Sequence, residues 1–442
     1  MKSWFLRIFR ETVAPKVRIC YDRWKWGITI LGGIEMDYKQ AYEKLEKYGQ
    51  LHVLKYYEEL TQQQQQALLG QIEATDFENL KYCKDNTTNR RGKITSLAAM
   101  QLEQIEKERE RYTAAGLEAI RQGKVAAVLL AGGMGTRLGS EEPKGMYNIG
   151  ITKEVFIFQR LIENMLEVVR QADAWIHLFV MTSDRNHEMT VAFFEEKDYF
   201  GYKKEYVHFF VQDMVPASDY DGKVYMEEKG KIATSPNGNG GWFSSMYKAG
   251  FLDMFKENGI EWFNVFAVDN VLQRIADPCF IGATITNHCV AGAKVVKKVT
   301  PDERVGALCL EDGRPSIVEY YELTDEMKEA KDEQGLPAYN FGAILNYLFK
   351  ESTLEKTVDG QLPLHIVERK IPHLDENGNY VEPEKPNGYK YETLVLDMIH
   401  QVDNCLPYEV ERSREFAPIK NATGIDSVES ARELCRLNGI EL

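Results

Sequence analysis

The chain has 442 residues and a formal charge of −14, with 44% hydrophobic and 28% charged residues, the profile of a globular protein of two or three domains. Its acidic balance excludes a general nucleic-acid binder, which needs a basic face, but leaves room for a small anionic substrate in a local pocket of Lys and Arg. No membrane partner is expected either: no apolar run, WGITILGGI at 26–34 among them, approaches the roughly 20 residues of a spanning helix. The seven cysteines are scattered, odd in number and without a C-x-x-C pair, and the eight histidines form no ligand-spaced pair. That pattern predicts reduced thiols in a cytoplasmic setting, with neither a disulfide framework nor a zinc site.

Residues 1–35 stand apart. They carry seven basic and three acidic residues, a net +4 that leaves −18 for the remainder, and they show no helical or strand period. They lack the apolar core and cleavage site of a secretion signal. Met36 opens a more ordinary start, MDYKQAYEKLEKYGQ, and the expectation is that translation begins there, with 1–35 a non-native or flexible extension.

From Met36 to residue 122 the pattern predicts an N-terminal helical region. Tyr38, Ala41, Leu45, Leu51, Leu54, Tyr57 and Leu60 recur at helix-like spacing over 37–75. The run Gln62–Gln66 reads as a solvated helix face. A second helix spans 97–123, rich in helix formers and closed by Gly123. The pattern then changes. KVAAVLLA (124–131) is a continuous apolar run, hence a buried strand, followed by an amphipathic helix at 156–172 and a strand at 175–183. A helix at 186–197, a strand at 206–212, a helix at 243–259 and a strand at 262–270 continue the alternation. It predicts an α/β fold, a mainly parallel sheet with helices on both faces. The domain expectation is a catalytic unit over 123–375 and, past the turn-rich passage DENGNYVEPEKPNGYK, a smaller C-terminal unit over 376–442.

The stretch LLAGGMGTRLGSEEPKGMYNIG, Leu129 to Gly150, holds the chemistry. Ligands of open α/β sheets sit at the carboxyl ends of the strands, and there the chain places Gly132, Gly133 and Gly135. Bare backbone lets N–H groups approach an anion closely. Thr136 adds a hydroxyl, Arg137 and Lys144 add fixed positive charge, and Pro143 stiffens the approach to Lys144. These residues read as a phosphate cradle. The P-loop spacing G-x-x-x-x-G-K-[ST] is absent, and Gly133, Gly135 and Gly139 do not give the dinucleotide spacing G-x-G-x-x-G.

These residues resemble the signature of the UDP-sugar pyrophosphorylase family, most closely its UDP-N-acetylglucosamine branch. The resemblance runs from about Gly116 to the C-terminus through MTSDRNHE, SPNGNGGWF, VDNVLQRIADPCFIG, GAKVVKK, VEYYEL and EFAPIKNATG, in that order. It implies a Rossmann-like core of the nucleotide-diphospho-sugar transferase (GT-A-like) type. It also implies a uridylyltransferase that makes a UDP-sugar, a UDP-N-acetylhexosamine or UDP-glucose, and pyrophosphate from UTP and a sugar 1-phosphate, with Mg²⁺ as cofactor. By the same resemblance Leu130, Ala131, Gly132 and Gly133 wrap the nucleotide, while Arg137 and Lys144 are catalytic. Gln212 reads uracil, since an amide offers both a donor and an acceptor. Gly238 and Asn239 form a backbone turn at the uracil and the sugar. Asp269 holds the metal, with Asp397 a guess for a second carboxylate. Gly306, Glu319, Tyr320 and Asn340 fall to the sugar, and Lys390 and Lys420 to phosphate. The competing reading is a catalytically silent nucleotide-sugar binder that regulates a partner. The presence of Arg137, Lys144 and Asp269 together speaks against it.

Two positions depart from the family pattern. Met134 stands where Gln is common, and Ala343, in YNFGA at 339–343, stands where the family has a second Asn. A methyl group cannot replace an amide hydrogen bond to a sugar hydroxyl, so the resemblance supports uridylyl transfer more firmly than any one sugar.

Overall fold

The computed structural model describes residues 36–84, 91–332, 335, 337–358 and 362–442; the expectations for residues 1–35 lie outside the described residues. Ten strands form the large sheet. In chain order they are β1 (Ile94–Ser96), β2 (Val125–Leu130), β3 (His177–Thr182), β4 (Val207–Val211), β5 (Trp262–Ala267), β6 (Ala291–Lys297), β7 (Ala307–Glu311), β8 (Arg314–Val318), β9 (Phe341–Lys350) and β10 (Leu406–Glu409). The spatial path is β1-β7-β9-β5-β2-β3-β4, with β8 beside β7, and with β6 lying between β9 and β10.

The sheet has two characters. Strands β5, β2, β3 and β4 run parallel to one another. β9 is antiparallel to β5, β6 and β7. The parallel half is buried on both faces, which is why β2 reads as an unbroken apolar run. Val125, Ala127 and Leu129 enter one core cluster, while Ala126, Val128 and Leu130 enter the other.

Nine helices of seven or more residues occur among the described residues: α1 (Tyr38–Lys47), α2 (Gln62–Ala74), α3 (Leu102–Arg121), α4 (Ile157–Ala172), α5 (His187–Glu196), α6 (Trp242–Lys248), α7 (Leu252–Asn258), α8 (Pro278–Thr286) and α9 (Val428–Leu437). Two expected helices are each broken in two. In 37–75 the α-helix ends before Gly49, which takes φ +68°, 3-10 turns follow at Leu51–Leu54 and Tyr57–Glu59, and the α-helix resumes after Thr61, whose hydroxyl accepts from the Gln64 N–H. The 243–259 pattern breaks at Gly250, φ +84°. Both glycines adopt a left-handed conformation that costs other residues about a kcal/mol or more. The helical pattern survives across each break because the same core is used on both sides.

Helices α3 and α8 meet backbone to backbone. A Cβ at Gly116 would stand 1.9 Å from the Pro278 carbonyl oxygen, and one at Gly282 would stand 1.7 Å from that of Tyr112. α1 and α2 use Ala41, Leu45, Leu68 and Ile72 to cover a separate small core with Val224, Met226, Ile232 and Tyr391. Residues 376–442 divide in space: Gly388–Glu392 pairs with His365–Arg369, β10 joins the large sheet parallel to β6, and α9 enters the core beneath α4 through Val428, Ala431 and Cys435. No described helix is long and apolar enough to cross a membrane.

Candidate active site

The glycine-rich stretch leaves the carboxyl end of β2 and returns as a closed loop. The Gly135 N–H donates to the Glu142 carbonyl at 2.8 Å, and the Lys144 N–H donates to the Gly133 carbonyl at 3.1 Å. Gly139, φ +76°, makes the turn between them. The loop is anchored from outside by Asn186, fully buried, whose Nδ2 donates to the Ala131 carbonyl at 2.9 Å and the Gly133 carbonyl at 3.4 Å. The Ser183 N–H donates to Asn186 Oδ1 at 2.8 Å. Asn186 lies within the quoted MTSDRNHE but was given no role from the sequence. Its signal was weak, because an Asn just after a strand reads as an ordinary helix cap.

Gly132 leaves room for its neighbour. A Cβ there would stand 2.4 Å from Gln212 Nε2. The Gln212 amide therefore lies directly against the cradle backbone, brought there by β4, whose end is tied by the Gln212 N–H donating to the Thr182 carbonyl at 2.9 Å. Gln212 is 6% exposed, and its side-chain amide makes no hydrogen bond to a described residue. A buried amide held in this way retains its donors and acceptor for a ligand.

Lys144 and Asp269 meet across the loop, Nζ to Oδ2, at 3.8 Å. Burial holds Lys144 below the ordinary lysine value. Asp269 opposes that shift, while Lys420 and Arg137 add to it. Lys144 thus feels two further cations besides the Asp269 carboxylate, an arrangement that a polyphosphate would relieve. Lys420 arrives from the C-terminal segment. The Ile419 N–H donates to the Asp269 carbonyl at 2.8 Å, and Lys420 Nζ lies 3.4 Å from Asp426 Oδ2.

A cleft of about 200 Å³ opens beside Asp269. Gly306, Glu319, Ala343 and Lys420 line it, so three residues expected at the sugar phosphate share one cleft. Arg304, Leu345 and Leu396 line it too, and no motif points to them. Leu345 takes φ +52° and lies within the irregular register between β6 and β9, between the paired residues Ala343 and Tyr347, a local feature no residue pattern signals. Burial raises the Glu319 carboxyl above its ordinary value, with Glu322 and Asp397 adding to the rise and His365 and Arg91 opposing it.

Gly238 has φ +86°, and a Cβ there would stand 2.2 Å from the Thr393 carbonyl oxygen. The turn it makes is fastened to residues 393–395: the Gly240 N–H donates to the Thr393 carbonyl, and Asn239 Oδ1 accepts from the Val395 N–H at 2.9 Å.

Four expected residues lie apart from the cleft. Tyr320 is exposed and stacks edge-on with Tyr321. Asn340 lines a neighbouring crevice with Lys298 and Tyr339. Lys390 sits on the Gly388–Glu392 strand near Arg185 and Arg369, held below its ordinary value chiefly by burial and then by Arg185. Asp397, 6% exposed, pairs its Oδ2 with His365 Nε2 at 2.7 Å, so its charge is already committed. No group of three or more His, Cys, Asp or Glu side chains is assembled for a metal among the described residues. A lone Asp269 fits Mg²⁺ nonetheless, because this ion takes one or two carboxylates and fills its other positions with water and phosphate oxygens.

Comparison with known proteins agrees with this geometry. Residues 75–438 match the family described as UTP–glucose-1-phosphate uridylyltransferase. The chain is 36% identical over 408 residues to the human UDP-N-acetylhexosamine pyrophosphorylase-like protein 1, covering 87% of this chain and 80% of that one. It is 34% identical over 414 residues to UDP-N-acetylglucosamine pyrophosphorylase of Saccharomyces cerevisiae, covering 87% and 86%. The uridine diphosphate N-acetylglucosamine pyrophosphorylase of Trypanosoma brucei, solved with an inhibitor, superposes with a TM-score of 0.75 at 27% identity, covering 90% of this chain and 84% of that one. A parallel half-sheet ending in a glycine cradle, a family match across most of the chain and relatives above 30% identity lead to one conclusion: the chain belongs to the UTP–glucose-1-phosphate uridylyltransferase family, the UDP-sugar pyrophosphorylases.

Proposed function

We propose that the chain carries out the family's uridylyl transfer, UTP and a sugar 1-phosphate giving a UDP-sugar and pyrophosphate, with the groups gathered at the ends of β2 and β5. The observation that carries this reading is the meeting of Lys144 with Asp269 at 3.8 Å beside a cleft that Glu319, Gly306 and Lys420 also reach. A phosphate oxygen of the sugar 1-phosphate attacks the α-phosphorus of UTP, and pyrophosphate leaves in line. The protein's task is to position the reactants and balance charge.

Gln212 reads the uracil from beneath Gly132, and the backbone from Leu130 to Gly133 follows the nucleotide. Gly238 and Asn239 close over it from the other side. Arg137 and Lys144 neutralise charge that grows on the departing pyrophosphate. Lys420 holds the phosphate of the sugar, and Glu319 accepts from sugar hydroxyls beside the Gly306 backbone. Asp269 would hold Mg²⁺, which supplies positive charge to the phosphate oxygens. The names of the relatives favour an N-acetylhexosamine 1-phosphate, and Ala343 keeps glucose 1-phosphate in play.

The test is pyrophosphate release from UTP and Mg²⁺ with the 1-phosphates of N-acetylglucosamine, N-acetylgalactosamine, glucose and galactose. Release with one or more of them is expected. Tight UTP binding without release from any of them would reject the transferase reading in favour of a silent binder.

A further inference from the structure

Lys294, on β6, is fully buried, with 0% exposure. Its Nζ lies 2.6 Å from Glu415 Oε2 and 3.1 Å from Asp277 Oδ2, and it donates to the Arg274 carbonyl at 3.1 Å. A charge removed this far from water persists only when it is paired and hydrogen-bonded on several sides. Its partners come from two separate stretches. Arg274 and Asp277 belong to the connection between β5 and α8, where Asp277 also caps α8 by accepting from the Cys279 N–H. Glu415 begins the segment that leads to Lys420.

That segment is stitched to the turn after β5. Asn270 Nδ2 donates to the Glu415 carbonyl at 2.7 Å, the Ala417 N–H donates to Asn270 Oδ1 at 2.9 Å, and the Ile419 N–H donates to the Asp269 carbonyl at 2.8 Å. Only the pairing of Asn270 with Pro418 gives residues 416–420 any ladder character. The Lys420 side chain is itself half-exposed, so its position depends on how the stretch behind it is seated. The hydrogen bonds to Asn270 and Asp269 tie the stretch to a turn, and the short charge-assisted bond from Lys294 adds a second anchor, on the fixed strand β6.

We propose that Lys294 and Glu415 are positioning residues: their buried pair sets the register of residues 415–420 against the Asp269 turn, and so fixes where Lys420 faces the substrate phosphate. This rests on the reading of Lys420 as a phosphate-binding group. A buried ion pair adds little net stability over an apolar pair of the same volume, whereas its fixed geometry serves registration.

The test is a kinetic double-mutant cycle on the full chain with Glu415→Gln and Lys420→Ala, measuring pyrophosphate formation at temperatures where circular dichroism shows each variant folded. Glu415→Gln alone is expected to lower kcat/KM for the sugar 1-phosphate by about tenfold, with KM for UTP within about twofold of wild type. In the Lys420→Ala background the same change is expected to cost less than about twofold, because the group it positions is gone. Equal factors in both backgrounds, with Lys420→Ala itself impaired, would overturn the inference alone. Wild-type kinetics for Lys420→Ala would overturn the role of Lys420 and the inference with it. If Glu415→Gln does not fold, Glu415→Asp gives the same cycle, keeping the charge and shortening its reach.

Discussion

The two ends of the site are built differently. The end we propose for the phosphates lies where parallel strands β2 and β5 finish, and it consists of a closed loop, Gly132 to Lys144, with Asp269 opposite. The loop residues are close in sequence, the proposed role rests largely on backbone, and the loop is held by Asn186. The end we propose for the sugar lies on the antiparallel half, between β7, β8 and β9. It draws Gly306, Glu319, Ala343, Leu345 and Leu396 from four separate stretches, and much of its lining is apolar. A phosphate presents one invariant chemistry, so a fixed cradle suits it. Sugars differ hydroxyl by hydroxyl, so their site is assembled from side chains that can change independently.

This contrast can be broken at either end. The largest effect is expected at the phosphate end. Lys144→Ala should lower kcat by about a hundredfold or more, the order of losing one preorganised transition-state donor, with the circular dichroism spectrum unchanged. Near-wild-type turnover would mean that the cradle cation does not face developing charge. A moderate effect is expected at the sugar end. Ala343→Asn should raise kcat/KM for N-acetylglucosamine 1-phosphate relative to glucose 1-phosphate by about tenfold, the worth of one added hydrogen bond to a sugar substituent. An unchanged ratio in the four-sugar panel would show that the Ala343 wall does not meet the sugar.

The smallest effect concerns stability beneath the sugar end. The hydrogen bond to Asp397 raises the His365 pKa above its ordinary 6.5. A raised histidine stabilises the folded chain fully below about pH 6.5, and that contribution is lost as pH climbs through the raised value. The melting temperature should therefore decline by about 1–2 °C more in wild type than in His365→Gln between pH 6 and pH 8. Parallel melting profiles for the two proteins would show that the pair is not formed.

The difference between the two ends also explains what could be read in advance. β2 was legible because burial on both faces leaves only apolar residues, and the loop after it because its glycines and cations stand together in one short stretch. The helix breaks at Gly49 and Gly250 were not legible, since the core-facing period continues across each turn. Asp397 is a guess for a second metal carboxylate in the sequence, and only the fold brings to it His365, 32 positions earlier.

Sequence alone determined the class of fold, the family and the glycine-rich loop that bears Arg137 and Lys144, because local spacing and backbone demands are written in neighbouring residues. Tertiary structure alone decided that Asn186 holds that loop, that Leu345 and Leu396 line the cleft beside Asp269, that Tyr320 and Asn340 are not among its lining, and that Lys294 joins the β5–α8 connection to the segment bearing Lys420. Those are contacts between residues far apart in the chain, and their energies come from burial and pairing that no local pattern encodes.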